Sequence, residues 1–165
     1  MMSLKKSWTG NIKPGLNSDL DAMLAQLCQA FNQSPFYQYC GMQMRVVNGQ
    51  IEAYVDMDKN LIGNTAFQIL HGGVAATLLD SIGGITAMVE LYQGATPENI
   101  DEISQKVSRL ATVDMRVDYL SPGRGQYFTA NAEVLRLGRK GCTVRMTMLN
   151  NEAKAIATAI ASYAY

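Results

Sequence analysis

Residues 70–80 read Leu70-His71-Gly72-Gly73-Val74-Ala75-Ala76-Thr77-Leu78-Leu79-Asp80, and the apolar run they open continues through Ile82, Ile85, Ala87 and Met88 to Val89. A segment apolar on most sides is normally a buried helix, so the spacing predicts a core helix over about 72–92. Gly83-Gly84 weakens that helix but permits another backbone to come close. Asp80 is the only charged residue between Gly72 and Val89. Aspartate is a poor helix former, and burying an unpaired carboxylate costs several kcal/mol. Two readings follow: a functional carboxylate, or a structural one that caps, pairs or turns to solvent.

The polar stretch 94–111, with Pro97, reads as an insertion or flap holding one short helix from about 99 to 109. Period-two alternation follows: Val113, Met115, Val117 and Tyr119 face one way, Asp114, Arg116 and Asp118 the other. Ser121-Pro122-Gly123-Arg124-Gly125 is a turn. Phe128, Ala130, Ala132 and Val134 alternate, Gly138-Arg139-Lys140-Gly141 turns, then Cys142, Val144, Met146 and Met148 alternate to a turn at Asn150-Asn151. The alanines at 155, 157, 159 and 161 suit a helix by propensity. Ile156, Thr158 and Ile160 between them favour a last strand whose small-residue face packs close to a helix.

Upstream, 58–70 reads as a loop turning at Gly63-Asn64, and 40–57 as two strands around Asn48-Gly49, a strong hairpin signal. Asn17 or Ser18 caps a helix bearing Leu20, Met23, Leu24, Leu27, Cys28 and Phe31 on one face, which Ser34-Pro35 ends. Residues 1–16 read as an arm. The order is helix, hairpin, loop, buried helix, flap, then strands in meander. This is an α+β chain with a sheet wrapped around one apolar helix. We expect residues 1–35 to form an arm and helix, and 36–165 the main domain.

The chain has 165 residues, 48% hydrophobic and 17% charged, with zero formal net charge. That balance argues against nucleic-acid binding, which needs a basic excess. The low charge count suits burial against another copy. Cys28, Cys40 and Cys142 match no metal or redox spacing and read as free thiols of a reducing compartment. With one histidine, no metal site is expected, and no cofactor is implied. No apolar run follows Lys5 and Lys6, so no secretory signal is expected. No stretch is expected to reach the ~20 apolar residues of a membrane helix, which leaves the cytoplasm as the default location and no membrane partner.

His71-Gly72-Gly73 stands where loop becomes helix. Amides there are unpaired and favour an anion or developing oxyanion, although Gly-Gly is also an ordinary turn and His71 an ordinary hydrogen bonder. Asn64 and Gln68 can donate to a carbonyl or hold a water, or simply shape the loop. Ser81 can bond Asp80 or its own helix. Arg136, Arg139 and Lys140 around Gly138 suit a nucleotide phosphate, or are merely solvated.

Together, the block 70–80, the strand 113–120 running into Ser121-Pro122-Gly123, and Arg136-Leu137-Gly138-Arg139 resemble the hotdog-fold thioesterase superfamily, in its phenylacetyl-CoA thioesterase-like branch. The resemblance covers about 40–165. It implies an antiparallel sheet curled around the long helix. It also implies a dimer, or dimer of dimers, with active sites at the subunit interface and acyl-CoA as substrate. In such enzymes the amide of the first glycine, here Gly72, with Gly73 beside it, polarises the thioester carbonyl. The carboxylate, here Asp80, comes from the facing subunit as general base or nucleophile. His71 would orient the loop, and the basic turn, Arg139 above all, would meet the CoA phosphates.

Two positions depart from the family pattern. Thr65 stands where an Asn or Gln is common, leaving Asn64 or Gln68 to serve. Gly84 stands where Ser or Thr is common, leaving Ser81 or Thr86. The ten methionines and other apolar residues suit a flexible pocket for a medium or long aliphatic chain, with 1–35 and 94–111 covering its acyl end. A non-catalytic acyl-CoA binder is the alternative. An enoyl-thioester hydratase ranks lower, because the sole histidine stands at the helix start, away from Asp80.

Overall fold

A computed structural model describes residues 16–165; the arm read at 1–16 lies outside these apart from Leu16. Helix α1 spans Leu16–Asn32, which takes in Asn17 and Ser18, the positions read as its start. Leu24 and Cys28 are buried, in line with the one-sided apolar spacing. α1 stops just before Ser34-Pro35, as expected, and Pro35 opens a second short helix, α2, Pro35–Cys40, which the sequence reading missed. Proline at a first helical position loses no needed amide and has the right φ. Gly41, at φ 66°, stops α2 in the left-handed conformation that glycine adopts most cheaply.

Strands β1 (Met42–Val47) and β2 (Gln50–Asp56) form the expected hairpin. Asn48 and Gly49 both take positive φ, 52° and 74°, the backbone a two-residue hairpin turn demands. The Asn32 side chain binds the free side of β1. Its Nδ2 donates to the Met44 carbonyl (2.9 Å), and its Oδ1 accepts from the Met44 amide (2.7 Å). The stretch read as a loop at 58–70 holds a 3-10 turn, Lys59–Leu61, and a tiny hairpin, β3 (Ile62–Asn64) with β4 (Ile69–Leu70). Gly63 thus lies in a strand, not a turn. A Cβ on it would meet the His71 Cα at 2.7 Å.

Helix α3, Gly72–Gln93, is the expected core helix. Leu78, Leu79, Ile82 and Ile85 are fully buried, each contributing about 1.5–3 kcal/mol on leaving water. At 22 residues it is, contrary to expectation, long and apolar enough to cross a membrane by length and composition. Here the curved sheet covers that apolar surface instead: α3 lies across strands from β2 onward. Helix α4, Ile100–Arg109, is the short helix expected in the flap, and it rests against α3.

The remaining strands are β5 (Ala111–Tyr119), β6 (Tyr127–Leu137), β7 (Gly141–Asn150) and β8 (Ala155–Ala164). All six long strands make one antiparallel sheet in the order β1-β2-β6-β7-β8-β5. A plain meander is therefore wrong for β5. It crosses to the far edge beside β8, because the 120–126 connection carries the chain past two strand positions. β6–β7–β8 do form a meander, and the last segment is a strand. Ala157, Ala159 and Ala161 are buried while Ile160 is exposed, so the small-residue face meets the helix as expected.

The strand β5 is also irregular. Its register with β8 shifts between Thr112 and Asp114, pairing Thr112 with Tyr163 and Asp114 with Ser162. Val113 is the extra residue of a bulge and is 68% exposed, not inward with Met115 and Val117. Asp114 Oδ1 accepts from the Ser162 amide at 3.0 Å, filling the bond the bulge would otherwise leave open.

Helix and sheet approach closely at Gly83, where any Cβ would overlap the Tyr163 hydroxyl, while one on Gly84 would stand 3.7 Å from that ring. Alanine gains about 1 kcal/mol of helix propensity over glycine, and overpacking costs about 1–3 kcal/mol. Gly83→Ala should therefore lower unfolding free energy by up to about 2 kcal/mol in urea titration, and Gly84→Ala should leave it equal or higher.

A second expectation concerns alkaline pH. Burial pushes the Tyr37 hydroxyl up to about 12, eased by Ser81 and raised further by the Asp80 charge. Burial and then the Asp80 charge push Tyr163 up as well. Both stay protonated in the folded chain where unfolded tyrosines ionise, near 10. Stability is thus whole below pH 10 and falls as pH rises through that value. The slope is about 1.4 kcal/mol per pH unit for each tyrosine. Urea titrations between pH 9 and 12 should show it, and Tyr37→Phe should make it shallower.

Candidate active site

The first turn of α3 is built by its own cap. His71 has extended backbone geometry, and its Nδ1 accepts from the Gly73 amide at 2.8 Å. Its amide donates to the Leu61 carbonyl, and its carbonyl accepts from the amides of Val74 and Ala75. A ring whose Nδ1 accepts carries its proton on Nε2 when neutral. Among the described residues the Gly72 amide has no acceptor, so one donor at the positive end of α3 stays open. The Tyr119 hydroxyl donates to the Gly72 carbonyl (3.0 Å), and its ring lies against Gly72, 3.2 Å from where a Cβ would stand. A cleft of about 350 Å³ opens at this point, walled by Leu70, Gly72, Tyr119, Pro122, Gly123 and Ile156.

Asn64 and Gln68 sit exposed in the β3–β4 hairpin beside this turn. Both are engaged locally. Asn64 Oδ1 accepts from the amides of Ala66 and Phe67 (3.1 and 3.2 Å), and Gln68 Nε2 donates to the Thr65 carbonyl (2.7 Å). Among the described residues this leaves the Asn64 side-chain nitrogen and Gln68 Oε1 without a partner.

Asp80 and Ser81 are half-buried, two turns further along α3. Eight residues at 1.5 Å each put Asp80 about 12 Å from Gly72. One chain therefore does not bring its own Gly72 amide and Asp80 carboxylate to a single carbonyl group. The Thr112 hydroxyl donates to Asp80 Oδ1 at 2.9 Å, and the Tyr163 hydroxyl donates to the Asp80 carbonyl at 2.9 Å while lying 3.5 Å from Oδ1. Among the described residues no cation pairs with Asp80. It is a carboxylate held by hydroxyls and unneutralised by a salt bridge, a state suited to taking a proton or attacking a carbonyl.

Three residues here carried no sequence signal. Thr112 and Tyr163 reach Asp80 only through strand pairing. Tyr37, on α2, is 3% exposed, and its hydroxyl has no hydrogen-bond partner among the described residues.

Arg136, Gly138, Arg139 and Lys140 form a third group at the β6–β7 turn, rimming a separate cleft of about 320 Å³ that reaches Ser162 and Tyr163. The turn is fixed from below: the Tyr165 hydroxyl donates to the Gly138 carbonyl (2.7 Å) and contacts that of Gly141 (3.2 Å). The basic side chains are exposed, free to meet an anion. The structure thus brings His71, Gly72, Gly73, Asn64 and Gln68 together, keeps Asp80 and Ser81 apart from them, and sets the basic turn at another place.

Comparison with known proteins gives this geometry a context. The family model described as "Thioesterase superfamily" matches residues 67–157, from Phe67 to Ala157. The medium/long-chain acyl-CoA thioesterase YigI of Escherichia coli is 37% identical over 130 residues, 78% of this chain and 84% of that protein. Its Salmonella typhimurium counterpart is 36% identical over the same shares. A crystal structure from Shewanella oneidensis, of a protein related to the thioesterase superfamily, superposes with a TM-score of 0.82 at 36% identity, covering 92% of this chain and 99% of that one. The sheet wrapped on α3 is accordingly the hotdog fold, and the chain belongs to the thioesterase superfamily.

Proposed function

We propose that this protein hydrolyses acyl-CoA thioesters of medium or long aliphatic chain to the free acid and CoA. The observation that carries the reading is Asp80: the one charge in the apolar stretch of α3, bonded by hydroxyls and, among the described residues, matched by no cation. The YigI relatives, described as medium/long-chain acyl-CoA thioesterases, support the substrate class.

In this reading the Gly72 amide, with Gly73 behind it, donates to the thioester oxygen and draws charge from the carbonyl carbon. Asp80 either takes a proton from an attacking water and returns it to the departing sulfur, or attacks the carbon itself to form a mixed anhydride that water then hydrolyses, freeing the acid and Asp80; in both routes the carbon–sulfur bond breaks and the water supplies the proton with which CoA leaves as the thiol. His71 holds the turn in shape through its bond to Gly73. Asn64 or Gln68 positions the water or carbonyl, and Ser81 lines the same path. Arg139, with Arg136, Lys140 and the Gly138 turn, binds the CoA phosphates.

The 12 Å separation of Gly72 and Asp80 supports a site shared between two copies, each lending one group to the other's substrate. The open edge of β5, with Val113, Tyr119 and Leu120 exposed, is the face we assign to that contact, in a dimer or dimer of dimers. Residues 36–165 form the catalytic domain, and 1–35 and 94–111 cover the acyl end. Free Cys28, Cys40 and Cys142 suit the cytoplasm.

Free-thiol release should be measured on a panel of acyl-CoA esters from short to long. Wild type should favour the medium and long chains, and Asp80→Asn should lower kcat by about 100-fold or more while staying folded. An Asp80→Asn protein of undiminished rate sinks the assignment. Light scattering should give two or four times the 18.0 kDa chain mass; an active monomer would rule out the shared site.

A further inference from the structure

Asp80 is useful only if its carboxylate is held in one orientation, and its own helix does not hold it: at two turns from the N-terminus it is beyond any capping amide. Two hydroxyls from the sheet do the holding. The Thr112 hydroxyl donates to Oδ1 at 2.9 Å. The Tyr163 hydroxyl donates to the main-chain carbonyl of Asp80 at 2.9 Å and stands 3.5 Å from Oδ1. The two come from neighbouring strands and are direct cross-strand partners, so they approach Asp80 as a pair. Among the described residues Oδ2 makes no hydrogen bond.

This pairing depends on the bulge. In a regular β5, a residue one step before Val113 would alternate away from the face that Met115 and Val117 present. One extra residue reverses the alternation and turns Thr112 to the side of Tyr163, toward α3. Asp114 locks that register through the Ser162 amide. Opposite, Gly83 leaves the space the Tyr163 hydroxyl needs to reach α3. A bulge, a cross-strand pair and a glycine thus converge on one carboxylate.

We propose that Thr112 and Tyr163 are positioning residues for Asp80, together holding Oδ1 and the local main chain so that Oδ2 is the oxygen presented to the reacting centre. The inference rests on the reading of Asp80 as the catalytic carboxylate. Thr112 is the direct contact, and Tyr163 fixes the helix segment that carries it. Both act through Asp80, so their loss should act on turnover rather than on binding.

The test is steady-state thiol release by the full chain, on the acyl-CoA of the panel above that wild type turns over fastest, for Thr112→Val, Thr112→Ser, Tyr163→Phe and Asp80→Asn. Thr112→Val should lower kcat about 10- to 100-fold with KM within about twofold, the pattern of a lost transition-state interaction. Thr112→Ser, which keeps the hydroxyl, should recover most of that loss, a rescue that a packing role for the threonine methyl would not give. Tyr163→Phe should lower kcat by a smaller factor, again at constant KM. If Thr112→Val fails to fold, Thr112→Ala beside Thr112→Ser makes the same comparison. Asp80→Asn inactive with Thr112→Val at the wild-type kcat overturns the positioning role and leaves Asp80 in place. A fully active Asp80→Asn, or wild type inactive on every ester, overturns both.

Discussion

The contact between α3 and the inner face of β8 is the constraint on which the rest of this molecule depends. A helix with large apolar side chains all round needs a shallow, smooth bed. Ala157, Ala159 and Ala161 provide it, with Gly83 on the helix side answering Tyr163. Because both surfaces are small there, the sheet curves tightly about the helix, and Leu78, Leu79, Ile82 and Ile85 leave water completely. The same closeness lets a side chain on the sheet reach the helix main chain. Packing and the organisation of the candidate site are therefore one arrangement: the tolerance that sets the core distance also sets the distance from Tyr163 to Asp80.

How much of this was legible in the sequence follows from the range over which each signal acts. The core helix announced itself because sixteen consecutive residues from Val74 to Val89 carried a single charge. The β1–β2 hairpin was fixed by Asn48-Gly49, a local backbone requirement. The last strand was decided by isoleucine alternating with alanine. What escaped was either too short for a period to show or settled at long range. Helix α2 has six residues and β4 only two; Pro35 was read as a stop, though it is equally suited to a first helical turn. The position of β5 at the edge depends on a crossover that no residue encodes locally. The bulge at Val113 is invisible in a stretch that alternates faultlessly on paper.

The site shows the same division. His71-Gly72-Gly73, Asp80 and the basic turn stood out by residue type and spacing. Their grouping did not: the spacing of eight residues between Gly72 and Asp80 is a linear fact, while its meaning, two stations on one rigid rod, comes only with the helix. Thr112, Tyr163 and Tyr37 were unreadable because nothing in their neighbourhoods distinguishes them. They matter through what folding places opposite them. Asn64 and Gln68 were found by position relative to His71, and the structure adds that each is already engaged in shaping its hairpin, which narrows the atoms they have left to offer.

The side chain of Asn32 has a consequence for how copies of this chain add to one another. It occupies both hydrogen-bonding groups of Met44 on the outer side of β1, so that border of the sheet is capped at its centre, while among the described residues no strand pairs with the outer side of β5. A sheet with two open borders can accept a neighbour on each and polymerise without limit. A sheet with one accepts a single neighbour, and because that neighbour has spent its own open border in the act, growth stops. For the strand-to-strand dimer proposed above, one capped border favours a closed pair over a fibre.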